Sequence, residues 1–208
     1  MNPIDELKEV AQEVSICTRC ELYHSRKNAV PGEGPASAKI MFIGEGPGFH
    51  ENEMGRPFVG AAGKFLEELL ATINLKRSEV FITNVVKCRP PGNRDPLPDE
   101  LSACSSYLER QIQAINPRVI VTLGRFSMAR FLPNVRISDV HGQSFQIRGR
   151  LVVPMFHPAA ALHQASLKPA VERDFSRLPE LIAKATEAPE IKDAAVEEKK
   201  EPKQLSLF

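Results

Sequence analysis

No apolar run in this sequence approaches the roughly 18 residues that a membrane-spanning helix requires. The N-terminal segment MNPIDELKEV is acidic and lacks the apolar stretch of a secretory signal, so a cytoplasmic protein is expected. An excess of one charge is also missing. The 27 Lys and Arg stand against 26 Asp and Glu, and the composition carries no global signal for nucleic acid. The balance is uneven, however. Six acids and four lysines lie from Glu187 onward, leaving 23 basic and 20 acidic residues before it, a body of about +3 that permits a local basic groove. There is no internal repeat, and only four cysteines. In a reducing compartment these point to metal or redox chemistry ahead of disulfides. A chain of 208 residues with 42% hydrophobic content can bury one sizeable core, so one domain and a monomer are expected.

Residues 3–14 carry Ile4, Leu7, Val10 and Val14 on one side and predict an amphipathic helix. Lys39–Ile43 is a short apolar run ending in GEGPG, a strand leading into a glycine-rich loop. Residues 61–73 predict a helix, Val80–Val86 a second strand, and Pro98–Ile115 a long helix opened by Asp99 and Glu100. Val119–Gly124 and Leu151–Phe156 supply the third and fourth strands, with a hairpin expected at 138–148 and a last helix over about 169–185. Apolar strands alternating with helices predict a parallel sheet between helical layers. Ligands bind such sheets beyond the carboxyl ends of the strands, where GEGPG, Asn84 and His157-Pro158 all fall.

Cys17 and Cys20 form CxxC, and Cys88 and Cys104 follow with fifteen residues between them. Two intervening residues let both sulfurs of the first pair reach one metal from a single turn. Four thiolates suit zinc or an iron–sulfur cluster, and spacing does not separate the two. Four unrelated core cysteines would be the plain structural alternative. A thioredoxin-like CxxC is disfavoured because no βαβ unit begins there.

GEGPG at 44–48, GRPFVG at 55–60, ITNVVKCRPP at 82–91 and FHPA at 156–159, together with the four cysteine positions, resemble the family 4 uracil-DNA glycosylases over about residues 10–180. The resemblance implies a three-layer α/β/α sandwich around a four-stranded parallel sheet. It also implies a [4Fe–4S] cluster on Cys17, Cys20, Cys88 and Cys104. The expected activity is hydrolysis of the N-glycosidic bond of a flipped-out uracil in double- or single-stranded DNA.

The residue types suit that chemistry. Asn84 can accept from uracil N3–H and donate to O4, a pattern that cytosine reverses, and a buried mismatch leaves polar groups unpaired. Phe58 can stack on the flipped base. His157 can donate to O2 as negative charge gathers there. In the family pattern Glu45 and the backbone of Gly46 face the same pocket. Gly46 stands where the best-known superfamily members have Asp, which leaves Glu45 to position water. Glu51 is expected to crowd C5 and disfavour thymine. Lys87, Arg89 and Arg94 are candidate phosphate contacts, and Leu162 or Leu167 a candidate wedge. Each also has a plain structural reading: a strand-end cap for Asn84 or His157, core packing for Phe58, a solvated face for the basic residues.

From Thr186 the composition turns to Ala, Glu, Lys and Pro, as expected of a disordered linker over 186–203 after a catalytic domain at 1–185. The terminal QLSLF breaks that composition. It resembles the bacterial sliding-clamp-binding motif, with Gln204, Leu205, Leu207 and Phe208 as anchors. Two rival functions remain open here, a uracil-DNA binding protein of the same fold and a zinc adaptor. The basic, His-containing insertion of the relatives that capture DNA covalently is absent from RPPGNRDPLPDE.

Overall fold

The computed structural model describes residues 2–183. Its elements are α1 (Pro3–Ile16), β1 (Ile40–Gly44), α2 (Phe49–Met54), α3 (Ala61–Thr72), β2 (Phe81–Asn84), α4 (Pro98–Ile115), β3 (Val119–Leu123), α5 (Arg125–Ala129), α6 (Ile137–Val140), β4 (Phe145–Ile147), β5 (Arg150–Met155), α7 (Pro158–His163) and α8 (Lys168–Ala183). The expected linker at 186–203 and the QLSLF peptide lie outside the described residues.

The helix starts follow local chemistry. At α1 the Asn2 side chain accepts from Ile4 N at 3.0 Å ahead of Pro3. At α4 Pro98 takes the first turn and the Glu100 carboxylate accepts from Leu97 N at 2.8 Å. Asn116 ends α4 in the left-handed region, at φ 46°.

The sheet has five strands in the order β2-β1-β3-β5-β4. The four expected strands pair in parallel, but β4 runs antiparallel to β5, so the sheet is mixed and not the four-stranded parallel one expected. The physical reason lies at Arg148-Gly149, both at positive φ, which fold 145–147 back onto the fourth strand. The hairpin foreseen at 138–148 therefore uses β5 as one arm, and its first residues are helical.

Strand periodicity explains the layers. Phe42, Val121 and Val153 point to one face and pack with Phe65, Leu66 and Leu69 of α3 and Phe175 and Leu178 of α8. Met41, Ile43, Ile120 and Val152 point to the other, against Leu108, Ile112 and Ile115 of α4 and Leu7 of α1. Arg110 of α4 bridges to Glu6 and Glu13 of α1, holding the end of α1 close to α4. No described helix is long and apolar enough to cross a membrane.

Candidate active site

The carboxyl ends of β1 and β2 are in register at Gly44 and Asn84, while β5 runs on into His157. Above them opens a cavity of about 380 Å³. Its wall includes Glu45, Gly46, Glu51, Phe58, Asn84 and His157, so the six residues expected around the flipped base meet at one place.

Asn84 is 1% exposed, and among the described residues its Oδ1 has no hydrogen-bond partner. A buried acceptor left unpaired costs stability, and the cavity is where a donor could satisfy it. Gly44 makes room for it. A Cβ there would collide with Asn84 Oδ1 and come within 2.7 Å of two Phe58 ring carbons.

Phe58 is nearly buried, and its ring stacks on that of His157 at 5.4 Å between centroids. Its backbone sits at φ 50°, unusual for a residue with a side chain, and its neighbours hold it there. Arg77 donates to Phe58 O at 2.8 Å and also to Pro57 O. Glu51 Oε1 accepts from Val59 N and Gly60 N, both at 2.9 Å, while Oε2 accepts from Gly48 N at 3.1 Å. Glu51 thus ties the glycine-rich loop to the Phe58 loop.

His157 Nδ1 accepts from Ala159 N at 3.1 Å, which leaves the ring proton of the neutral form on Nε2. Enclosure by the pocket lowers its pKa to about 4, against a smaller opposing pull from Glu51, so the imidazole is a neutral donor at ordinary pH. Glu45 Oε1 accepts from Phe126 N at 3.2 Å. Burial raises its pKa above the usual carboxylate range, with the Phe126 N–H and the Arg125 charge opposing.

The basic residues divide. Lys87 is buried, with Nζ donating to Thr83 Oγ1, Asn84 O and Gln111 Oε1 at 2.5, 2.9 and 2.7 Å, so it cannot meet a phosphate as the sequence suggested. Burial also lowers its pKa to about 7. Arg94 reaches the pocket wall while held in a two-pronged pair by Glu100, and Arg89 lies over the Phe49 ring. Leu162 is exposed on α7, whose Ala159, Ala160 and His163 line the cavity; Leu167 is half-buried.

Sequence reasoning missed Arg77, Gly44 and the wall formed by Pro90, Asn93, Asp95 and Pro96. The RPPGNRDPLP segment did signal a rigid loop, but not which way it would face.

Behind the pocket all four cysteines line one small second cavity. Cys17 ends α1, Cys20 follows it, Cys88 follows β2 and Cys104 sits on α4. Burial raises the thiol pKa of Cys20, Cys88 and Cys104. At Cys17 burial is outweighed by hydrogen bonds from Tyr107 and Arg19, and the pKa falls. Arg26 donates to Cys17 O at 2.7 Å and reaches Cys88 Sγ at 3.5 Å. Among the described residues no three His, Cys, Asp or Glu side chains gather closely enough to hold a single metal ion.

Residues 31–178 match the model of the uracil DNA glycosylase superfamily. The chain is 48% identical to the type-4 uracil-DNA glycosylase of Sulfurisphaera tokodaii, with 86% of each protein covered. It is 45% identical to that of Archaeoglobus fulgidus, over 87% of this chain and 96% of the relative. For that of Thermotoga maritima the figures are 44%, 86% and 97%. A carboxyl-edge pocket, its glycine-rich rim and a match over most of the chain thus agree: this protein belongs to the type-4 branch of the uracil-DNA glycosylase superfamily.

Proposed function

We propose that this chain excises uracil from DNA by hydrolysing the N-glycosidic bond of a flipped-out nucleotide, leaving an abasic site. The observation that carries the reading is the unpartnered, buried Oδ1 of Asn84, set in a pocket bounded by Phe58 and His157. An acceptor so placed calls for an N–H donor on a flat ligand, and uracil N3–H meets it. Cytosine, with an acceptor at N3, leaves it unpaired.

Phe58 stacks on the base, the backbone of Gly46 lines its edge, and Glu51 keeps both loops in place while crowding C5. As the bond from C1′ to N1 breaks, its electron pair passes to the uracil ring and gathers at O2, where His157 Nε2–H donates. Glu45 orients water toward C1′ and takes its proton as the new C–O bond forms. Leu162, exposed beside the pocket, is the better placed of the two candidate wedges.

Cys17, Cys20, Cys88 and Cys104 are proposed to hold a [4Fe–4S] cluster. All four line one cavity, and the family resemblance favours the cluster over zinc. The cluster would staple the end of α1 to β2 and α4. From sequence alone, we further propose that residues 1–185 form the catalytic domain and that 186–203 link it to a clamp-binding peptide, Gln204, Leu205, Leu207 and Phe208. Purified protein should convert U:G and single-stranded uracil oligonucleotides to alkali-labile abasic sites without added metal or nucleotide. No cleavage across a range of salt and temperature would overturn the enzymatic reading.

A further inference from the structure

We propose that Lys87 is a positioning residue for uracil recognition, its ammonium fixing the main chain of Asn84 from the side of the cysteine cavity. The proposal rests on the reading of Asn84 given above. Asn84 is the last residue of β2, and the pairing of β1 with β2 ends at Gly44 and Asn84. Beyond that point only two backbone bonds, Val85 N to Gly44 O at 3.0 Å and Val86 N to Glu45 O at 3.1 Å, tie the chain to the end of β1, and a base-reading amide must be fixed closely to discriminate.

Lys87 supplies a second hold. Its side chain turns back by three residues, and Nζ donates to Asn84 O at 2.9 Å. The other two donors go to Thr83 Oγ1 and Gln111 Oε1, so the three hydrogens of the ammonium find three acceptors. Those acceptors are themselves fixed. Gln111 Nε2 donates to Pro31 O at 2.7 Å, which directs its Oε1 toward Lys87, and Thr83 Oγ1 donates to the same carbonyl at 2.9 Å.

All three acceptors are neutral oxygens, and a buried cation without an anion is costly. Lys87 lines the cavity of the four cysteines. One residue therefore lines the cysteine cavity and has its ammonium on the strand end that reads the base. A purely structural lysine would have no need to be the residue joining the two.

The test uses the holoprotein as purified. Affinity is measured for an oligonucleotide carrying 2′-fluoro-2′-deoxyuridine, which resists cleavage, and for one carrying an abasic-site analogue. Lys87→Met should keep the visible absorbance of the wild type and bind the abasic analogue equally well, while the acceptors it leaves unpaired lower the thermal midpoint. It should lose affinity for the uracil analogue by about tenfold or more, because Asn84 no longer meets the base squarely. Equal loss for both ligands, or loss for neither, would overturn the proposal. Should Lys87→Met fail to fold, Gln111→Leu removes one acceptor and leaves the cation; an unchanged ratio of the two affinities there overturns it equally. If the wild type itself does not prefer the uracil analogue, it is the reading of Asn84 as the base reader that has failed.

Discussion

Replacing Gly44 with alanine perturbs the pocket by a single methyl group, and its consequences can be worked from the structure. Gly44 does not use a conformation reserved for glycine, so the backbone accepts the substitution. The methyl carbon collides with Asn84 Oδ1 and two Phe58 ring carbons. Phe58 has little room to retreat, since Arg77 and Glu51 hold its loop and its ring already lies against His157. The side chain of Asn84 must turn, or the Phe58 ring must tilt. Stacking on a base is worth roughly 1–3 kcal/mol and an unmet buried hydrogen bond another 1–3 kcal/mol. Losing one or both should lower single-turnover cleavage of a uracil oligonucleotide by about fivefold to above 10⁴-fold. Affinity for abasic DNA should hold, because phosphate contacts do not pass through Gly44. Cleavage within about threefold of wild type, at an unchanged melting temperature, would refute the assignment of Asn84 and Phe58 as base readers.

Three further outcomes are expected. His157→Ala should reduce the chemical step by about 10²–10³-fold and weaken DNA binding far less, since its hydrogen bond strengthens only as charge develops on O2; equal losses would make it structural. On the acid side, activity should fall first through the raised pKa of Glu45, because burial makes the active carboxylate take up its proton at a higher pH than an exposed one would; the His157 imidazole, with a pKa near 4, stays neutral until lower pH. Glu45→Gln should remove that first limb from the rate–pH profile of its residual activity, and a limb left in place would assign it to another group. Deleting residues 204–208 should abolish binding to a bacterial sliding clamp and leave turnover on short oligonucleotides unchanged, since a tether adds local concentration and not chemistry.

The strands and long helices were legible in the sequence because each carries its own signal. Pro98, Asp99 and Glu100 announce α4, and the apolar runs at 39–43 and 119–124 are too short for buried helices and read as strands. The edge strand β4 was obscure for a physical reason. Three residues, two of them only half-buried, carry little pattern, and whether they pair at all depends on the turn at Arg148-Gly149. The site divides along the same line. Asn84, Phe58 and His157 stand at strand ends or in glycine-bounded loops, where their neighbours advertise a place at the carboxyl edge of the sheet.

Lys87 and Glu51 show what the sequence could not express. A lysine beside an arginine in VVKCRPP suggests a surface that meets phosphate, and charge is ordinarily solvated. Only the fold reveals that three oxygens from two elements enclose it. Glu51 likewise reads as a lone acid near a pocket, yet both of its oxygens are occupied by backbone N–H groups, one from the loop just before it and two from the loop after α2. In both cases the charge holds backbone at or beside a residue of the candidate site. Chemistry that touches the substrate leaves a local motif, because the loop must be shaped around it. The groups that hold those loops act across the fold, and their partners can be found only once the chain is closed.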